Sequence, residues 1–282
     1  MIDPGLVLGA PIVTSSSVWS ADDVILYQLA LGAGARPDDQ REVRYVHEDQ
    51  LVVLPTFAAV PASTASTLAI RGPGLDLDLR RVLHVGQELD VHLPVPPVAE
   101  ATNRARVESV ENRGRDARIV VAVETTLADG RLLATNRFHL LARGEGGFGV
   151  PDVGRTDREA DAMDGPPDLT VVTTTMPQQA AWFRLCSDRT PVHVDPAAAT
   201  AAGLPRPTLQ GLCTWGVIGK MLIDRCLDGD VPAVRRYRAR FTGMVFPGET
   251  LESHIRTDGR TIAAEVTVQD RGAPAMSVVL GV

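Results

Sequence analysis

The stretch GQELDVHL at residues 86–93 has a counterpart in the other half of the chain, GETLESHI at residues 248–255. Both stretches begin with glycine and then carry a leucine, an acidic residue and a histidine at matching positions. Alternation of apolar and polar residues is typical of a strand with one buried face. The match predicts that the chain contains one unit twice, each copy combining a helix with an antiparallel sheet.

Signals for helices and strands support this duplication. In the first half, Ser20 followed by Asp23 predicts the start of a helix, and strands are predicted at residues 87–93, 104–111, 118–126 and 132–140. In the second half, helices are predicted at residues 178–186 and 211–226, and strands at residues 235–242, 250–257 and 261–269. Asp129-Gly130 and Asp258-Gly259 predict turns between consecutive strands. We therefore predict an α+β fold.

Glycine, proline and charged residues cluster between the two halves, and few large apolar residues follow Phe148 there. This composition is typical of a linker. We predict an amino-terminal domain at residues 1–150, a linker at residues 151–167 and a carboxyl-terminal domain at residues 168–282.

Composition limits the classes of partner. The net charge of -7 argues against general affinity for nucleic acid or for an anionic membrane. The three cysteines lack paired spacing, so neither a disulfide framework nor a metal site is expected. Apolar runs fall short of the roughly 20 residues of a membrane span, and the first residues lack the basic start of a signal peptide. These features predict a cytoplasmic protein.

The segment from Ser187 to Pro196 holds the main candidates for chemistry. Asp188 and His193 stand five residues apart in a predicted loop, where a carboxylate and an imidazole can share a water. Two other interpretations fit these residues. In the first, Asp188 only caps the turn and His193 forms a satisfied loop pair with Asp195; in the second, His193 binds a metal together with Asp195 and a distant histidine. Cys186 and Cys213 lie in apolar helical settings and are not expected to act as nucleophiles.

A longer pattern surrounds the two residues. Residues 183–196 and 207–214 carry it in the second half, and residues 23–34, 54–57, 83–87 and 146–149 carry it in the first. These blocks resemble the MaoC-like, R-specific 2-enoyl-CoA hydratases, also called hydratase 2. The resemblance implies a double hotdog fold, in which two antiparallel sheets, each wrapped around a helix, join into one continuous sheet.

The same resemblance implies an activity and a site. The family adds water reversibly and syn to trans-2-enoyl-CoA thioesters and gives R-3-hydroxyacyl-CoA, with the Asp and His in the positions of Asp188 and His193. A backbone N–H polarises the thioester carbonyl, and Gly211 matches that position. The amino-terminal half is non-catalytic and accommodates the acyl chain. The resemblance also implies a homodimer, with coenzyme A as part of the substrate and no separate cofactor.

Two departures from the family pattern concern substrate range. Thr190 replaces the usual Asn and offers one hydroxyl donor in place of an amide, and Gln210 precedes Gly211 where the family has His. Arg206 and Lys220 are the candidates for contacts with the phosphates of coenzyme A. Two other activities stay open: a hotdog acyl-CoA thioesterase and a non-catalytic acyl-CoA-binding subunit. The acyl group is a fatty or a steroid side-chain thioester, and composition does not choose between them.

Overall fold

The computed structural model describes residues 2–149 and 165–282. Its ten strands form one antiparallel sheet. The strands are β1 Val13–Trp19, β2 Val82–Val91, β3 Ala99–Arg113, β4 Asp116–Leu127, β5 Leu132–Ala142, β6 Leu169–Thr174, β7 Arg236–Phe241, β8 Thr250–Thr257, β9 Thr261–Val268 and β10 Ala273–Gly281.

The order of the strands shows the duplication directly. Across the sheet they run β1-β3-β4-β5-β2-β7-β10-β9-β8-β6. Read inward from its own edge, the first half has the order β1-β3-β4-β5-β2, and the second half has the order β6-β8-β9-β10-β7. In both halves the strands that come first, third, fourth, fifth and second along the chain therefore follow one another. The two second strands, β2 and β7, meet at the centre, where residues 86–90 pair with residues 236–240. The halves are thus joined through main-chain hydrogen bonds into a single sheet.

Seven helices accompany the sheet in the described residues. They are α1 Pro4–Leu8, α2 Ala21–Ala30, α3 Gln40–Val43, α4 Ala59–Ala69, α5 Gln179–Cys186, α6 Pro196–Ala201 and α7 Gly211–Cys226. In α7, every residue from Leu212 to Ile223 is buried, so this helix forms the centre of the carboxyl-terminal half. Its Trp215 stacks on Tyr237 of β7 with the ring centroids 5.0 Å apart. None of the helices in these ranges is long and apolar enough to cross a membrane.

Several local predictions are confirmed. Ser20 caps α2. Its hydroxyl accepts a hydrogen bond from the main-chain N–H of Asp23, and the Asp23 carboxylate accepts one from the main-chain N–H of Ser20. The predicted turns lie between β4 and β5 and between β8 and β9, with Gly130 and Gly259 at positive φ. Three strands (β1, β6 and β10) and four helices (α1, α3, α4 and α6) were not predicted, and α4 is the longest of these helices. The sequence of α4 holds a proline, and its serine, threonine and valine residues have lower helix propensities than alanine, so the helix signal is weak.

The repeat of residues 86–93 and 248–255 is wrong as an alignment, although the duplication it predicted is right. The first stretch lies mainly in β2, the second strand of its half, whereas the second lies mainly in β8, the third strand of its half. By position in the sheet, β2 corresponds to β7, and β8 corresponds to β3. Two strands that each bury one face share an alternating pattern without being copies of each other.

The first five strands end before residue 143 and the last five begin after residue 168, so each half of the sheet is built from one half of the chain. Most of the predicted linker, residues 151–164, lies outside the described residues. The predicted domain limits stay a prediction.

Candidate active site

Asp188 and His193 are in contact, as their spacing predicted. The chain leaves α5 at Cys186 and makes a short 3-10 turn at Pro191–His193, which brings the imidazole back towards the carboxylate. Nε2 of His193 lies 3.2 Å from Oδ2 of Asp188. The Asp188 side chain is 40% exposed and that of His193 is 14% exposed, so the pair has access to small molecules from one side.

The other ring nitrogen of His193 is anchored on the main chain. Nδ1 lies 2.9 Å from the carbonyl oxygen of Thr208. A carbonyl only accepts hydrogen bonds, so Nδ1 carries a proton. Nε2 can then donate to Asp188 only when the ring is a charged imidazolium.

The charge of Asp188 is stabilised by its neighbours. Burial opposes its ionisation, but hydrogen bonds from His193 and from the Thr190 hydroxyl and N–H outweigh burial and lower the pKa of Asp188 to about 2. The hydroxyl and the N–H of Thr190 both donate to Oδ1, the N–H over 2.8 Å. The Thr190 hydroxyl thus holds the carboxylate and is not directed at a substrate.

Gln210 and Gly211 connect this loop to α7. Nε2 of Gln210 donates to the carbonyl of Ala180 over 3.1 Å and makes a longer contact of 3.5 Å with that of Asp188. Gly211 is the first residue of α7, so its N–H has no acceptor within the helix and is available to a ligand. A Cβ at this position would lie 2.9 Å from a ring carbon of Phe241, which explains the glycine.

Comparison with known proteins identifies the family. A MaoC like domain matches residues 158–277, and an MFE-2 hydratase 2 N-terminal domain matches residues 18–144. Enoyl-CoA hydratase ChsH3 of Mycobacterium tuberculosis is 42% identical over 273 residues, which cover 96% of this chain and 94% of that protein. The chain belongs to the MaoC-like hydratase 2 family. The predicted family is therefore confirmed, and with it the assignment to the hydro-lyases.

Solved structures agree with the predicted architecture. A MaoC-like dehydratase from Phytophthora capsici superposes with a TM-score of 0.89 at 21% identity and covers 100% of this chain and 98% of its own. A Mycobacterium tuberculosis protein described as having a double hotdog fold superposes with a TM-score of 0.59 at 15% identity, covering 96% and 94% of the two chains. The double hotdog prediction is confirmed.

The two basic residues predicted to bind coenzyme A differ in how far they are exposed to a ligand. Lys220 is buried, and its ammonium group donates to Glu42 over 2.9 Å and to Asp224 over 2.7 Å. The structure therefore contradicts its predicted contact with phosphate, because the amino group already neutralises two carboxylates inside the protein. Arg206 is 56% exposed, stacks on Phe246 and lies 3.3 Å from Glu249. Its outer face is open to a ligand.

The cysteines of the hydratase 2 chain are not activated. Burial, with a smaller effect of the Asp23 charge, raises the pKa of Cys186 to about 12. Burial also raises the pKa of Cys213 well above its ordinary value. Both thiols stay protonated near neutral pH, which makes them poor nucleophiles.

Sequence reasoning missed three contributors to this site. The Thr208 carbonyl orients His193, but every residue has a carbonyl, so no side-chain pattern signals it. Phe241 packs on Gly211 from a strand that follows α7. Ser63 of α4 places its hydroxyl 3.5 Å from that of Ser187, which brings the amino-terminal half against the loop that carries Asp188 and His193. The last two contacts join segments far apart in sequence, and periodicity reports only on neighbours along one element.

Proposed function

We propose that this chain catalyses the reversible syn addition of water to trans-2-enoyl-CoA thioesters, giving R-3-hydroxyacyl-CoA, with the water held by Asp188 and His193. The observation that carries the proposal is the 3.2 Å contact between the two side chains, with His193 anchored through its other nitrogen. The matches to a hydratase 2 domain and to an enoyl-CoA hydratase support the reaction class.

In the proposed reaction each partner of the pair moves one proton. Asp188 is ionised and accepts a proton from the water as the oxygen bonds to C3. The imidazolium of His193 donates its Nε2 proton to C2, which completes the addition. Because the two groups touch, both protons move on the same side of the double bond, as syn addition requires. The proton on Asp188 then passes to Nε2 across the same contact and restores the starting state.

Negative charge develops on the thioester oxygen when the water attacks. The N–H of Gly211 lies at the amino end of the 16-residue helix α7, where the partial positive charge of the helix adds to the hydrogen bond. A prepositioned donor of this kind stabilises an oxyanion by about 2.7–4 kcal/mol. Gly211 therefore lowers the barrier without taking part in proton transfer.

The remaining assignments rest on the same reaction. The acyl group, from a fatty enoyl chain or a steroid side chain, lies towards the amino-terminal half, which contacts the catalytic loop through Ser63. Arg206 holds a phosphate of coenzyme A through its exposed guanidinium. The protein acts in the cytoplasm as a homodimer, binds no nucleic acid and uses no cofactor beyond the coenzyme A of its substrate.

The proposal is tested by adding the protein to crotonyl-, decenoyl- and steroid-enoyl-CoA and following the ultraviolet absorbance of the enoyl thioester. Hydration lowers this absorbance, and a stereospecific 3-hydroxyacyl-CoA dehydrogenase identifies the R product. Asp188→Asn and His193→Gln should each lose nearly all activity. Asp195→Asn is the matched control: Asp195 caps α6 by accepting from the N–H of Ala197, and Asn caps equally well.

The alternatives give different signals in the same experiment. A thioesterase releases free coenzyme A thiol, which a thiol-reactive dye detects. A non-catalytic subunit binds the thioesters without turnover. Either result, or full activity in Asp188→Asn, would overturn the proposal.

A further inference from the structure

Two arginines from separate loops of the carboxyl-terminal half lie over the ring of Phe246. The guanidinium carbon of Arg206 is 4.4 Å from the ring centroid, and that of Arg271 is 5.3 Å from it. Phe246 itself is buried, so its ring is a fixed base for both side chains. Stacking on an aromatic ring holds a planar guanidinium in place and leaves its edge free for hydrogen bonds. Two cationic groups, the arginine pair, are therefore held close together.

Glu249 offsets part of the charge of the arginine pair. Its Oε1 lies 2.8 Å from Nε of Arg271 and 3.3 Å from Nη2 of Arg206. Burial opposes the ionisation of Glu249, but hydrogen bonds from Arg271 and from the N–H of Phe246, with the charges of both arginines, lower its pKa. The carboxylate is therefore ionised near neutral pH, and the three charged side chains keep one net positive charge.

Both arginines keep hydrogen-bond donors that Glu249 does not use. Nε and Nη2 of Arg271 donate to Glu249, and Nη2 also donates to the main-chain carbonyl of Met244 over 2.8 Å. Within residues 2–149 and 165–282, neither Nη1 of Arg271 nor Nε and Nη1 of Arg206 has a hydrogen-bond acceptor. The side chains of Arg206 and Arg271 are 56% and 37% exposed, so a ligand can reach them. Such donors on a positively charged cluster suit a phosphate, whose ionised oxygens only accept.

The arginine pair lies beside the proposed active site. Leu209 donates its N–H to the carbonyl of Val245 over 2.8 Å, which ties the segment of Arg206 to the segment of Phe246. Arg206 stands five residues before Gly211, so their Cα atoms are at most about 18 Å apart. The pantetheine arm of coenzyme A joins the thioester sulfur to the phosphates and is long enough to cover a distance of this order.

The duplicated fold offers a comparison for Arg271. Arg271 lies between β9 and β10, and Arg131 lies in the corresponding turn between β4 and β5. Arg131 also pairs with an acid, since its Nε and Nη2 lie 2.8 Å and 2.7 Å from Oδ2 of Asp129. In the part of the chain that the structure describes, however, Arg131 stacks on no aromatic ring. The arrangement on Phe246 is thus particular to the half that carries the proposed active site.

We propose that Arg271 binds a phosphate group of coenzyme A together with Arg206, each guanidinium donating from its free edge. This inference rests on the proposed function, which assigns Arg206 alone to a phosphate. Glu249 is a positioning residue, because it holds both guanidiniums against Phe246 and leaves the ligand to them. The site therefore favours thioesters of coenzyme A over thioesters of pantetheine, which carry the same acyl group without a phosphate.

Kinetics with thioesters that differ in their phosphates test the inference. The KM values of decenoyl-CoA, decenoyl-3'-dephospho-CoA and decenoyl-pantetheine are compared in the wild-type protein and in Arg271→Met. Loss of one charge-assisted hydrogen bond at a partly exposed site predicts that KM for decenoyl-CoA rises by about 5- to 20-fold, with kcat nearly unchanged. KM for decenoyl-pantetheine should be the same in both proteins. An increase that persists with the dephospho thioester assigns the pyrophosphate to Arg271, and an increase lost there assigns the 3'-phosphate.

Two further variants and the salt concentration complete the test. Arg131→Met is the matched control and should change no KM value. Arg271→Lys keeps the charge without the planar fork and should recover part of the affinity. Added salt should raise KM for decenoyl-CoA more in the wild-type protein than in Arg271→Met, because salt screens exposed charges.

An unchanged KM for decenoyl-CoA in Arg271→Met, or an equal increase for decenoyl-pantetheine, overturns the inference. If the wild-type protein hydrates none of the thioesters, the proposed function itself fails. Binding of coenzyme A, measured by calorimetry, then tests the arginine pair separately, and equal dissociation constants for the wild-type protein and Arg271→Met reject it.

Discussion

Adding one methyl group at Gly211 tests the link between helix position and catalysis. A Cβ there would lie 2.9 Å and 3.1 Å from two ring carbons of Phe241. Carbon atoms pack best at about 3.5–4.0 Å, so the Gly211→Ala methyl is roughly 0.5–1 Å too close. His84 packs against the Phe241 ring at 5.2 Å and restricts its retreat. The start of α7, including the N–H that we propose faces the thioester oxygen, must therefore move.

The size of the effect follows from that displacement. Overpacking of this kind costs about 1–3 kcal/mol of stability, partly offset by the higher helix propensity of alanine. Misplacing a catalytic group by about 1 Å can cost on the order of 100-fold in rate. We expect Gly211→Ala to lower kcat by about 10- to 100-fold, with a moderate loss of thermal stability. Hydration of decenoyl-CoA and thermal unfolding measure the two effects.

The same helix offers a matched control. A Cβ at Gly219 would also lie 2.9 Å from an aromatic carbon, that of Tyr237, but Gly219 stands two turns further along α7. Gly219→Ala should lose similar stability and keep kcat. Gly211→Ala combined with Phe241→Leu makes room for the methyl and should recover activity. A wild-type kcat in Gly211→Ala, or an equal loss in Gly219→Ala, would refute the reasoning.

Three further outcomes are expected. Thr190→Val removes a hydrogen-bond donor to ionised Asp188, so the pKa of Asp188 should rise from about 2. The variant should therefore lose activity at a higher pH than the wild type when the solution is acidified. An unchanged profile of kcat/KM against pH would contradict this. Lys220→Met removes the buried cation from Asp224 and from Glu42, which keeps only its exposed partner Arg36, and should destabilise the fold by about 3–5 kcal/mol in urea unfolding. A raised KM in the folded variant would instead restore the predicted role of Lys220 with coenzyme A. Cys186→Ala and Cys213→Ala should keep kcat, because neither thiol ionises near neutral pH; inactivation would place a thiol in the mechanism.

Local patterns carried the prediction of the catalytic loop. Asp188 and His193 were singled out by their spacing in a predicted loop. The resemblance to the hydratase 2 family then added Gly211 and the proposed role of each residue. Local spacing also identified Ser20 and Gly130, whose roles depend on the nearest few residues. Lys220 was misplaced for the opposite reason. Its burial depends on Glu42, which comes from the other half of the chain.

The repeated stretch shows how a correct conclusion can rest on a wrong correspondence. Alternation in β2 and β8 reports that each strand buries one face, but it does not report which neighbour the strand pairs with. Only the sheet order shows that β2 and β7 are the equivalent strands. The duplicated architecture is defined by the main-chain hydrogen bonds at the centre of the sheet. The similarity of residues 86–93 to residues 248–255 does not define it.

The sequence by itself determined the antiparallel sheets and the pairing of Asp188 with His193 through periodicity and short spacings, and it determined the family through its resemblance to the hydratase 2 enzymes over several separate blocks. The tertiary structure alone decided the proton on Nδ1 of His193 and the burial of Lys220. The first depends on the carbonyl of Thr208 and the second on the carboxylate of Glu42, and no pattern along the chain indicates either contact. Such contacts form only when the chain closes, because hydrogen bonding and burial act through space and leave no period along the chain.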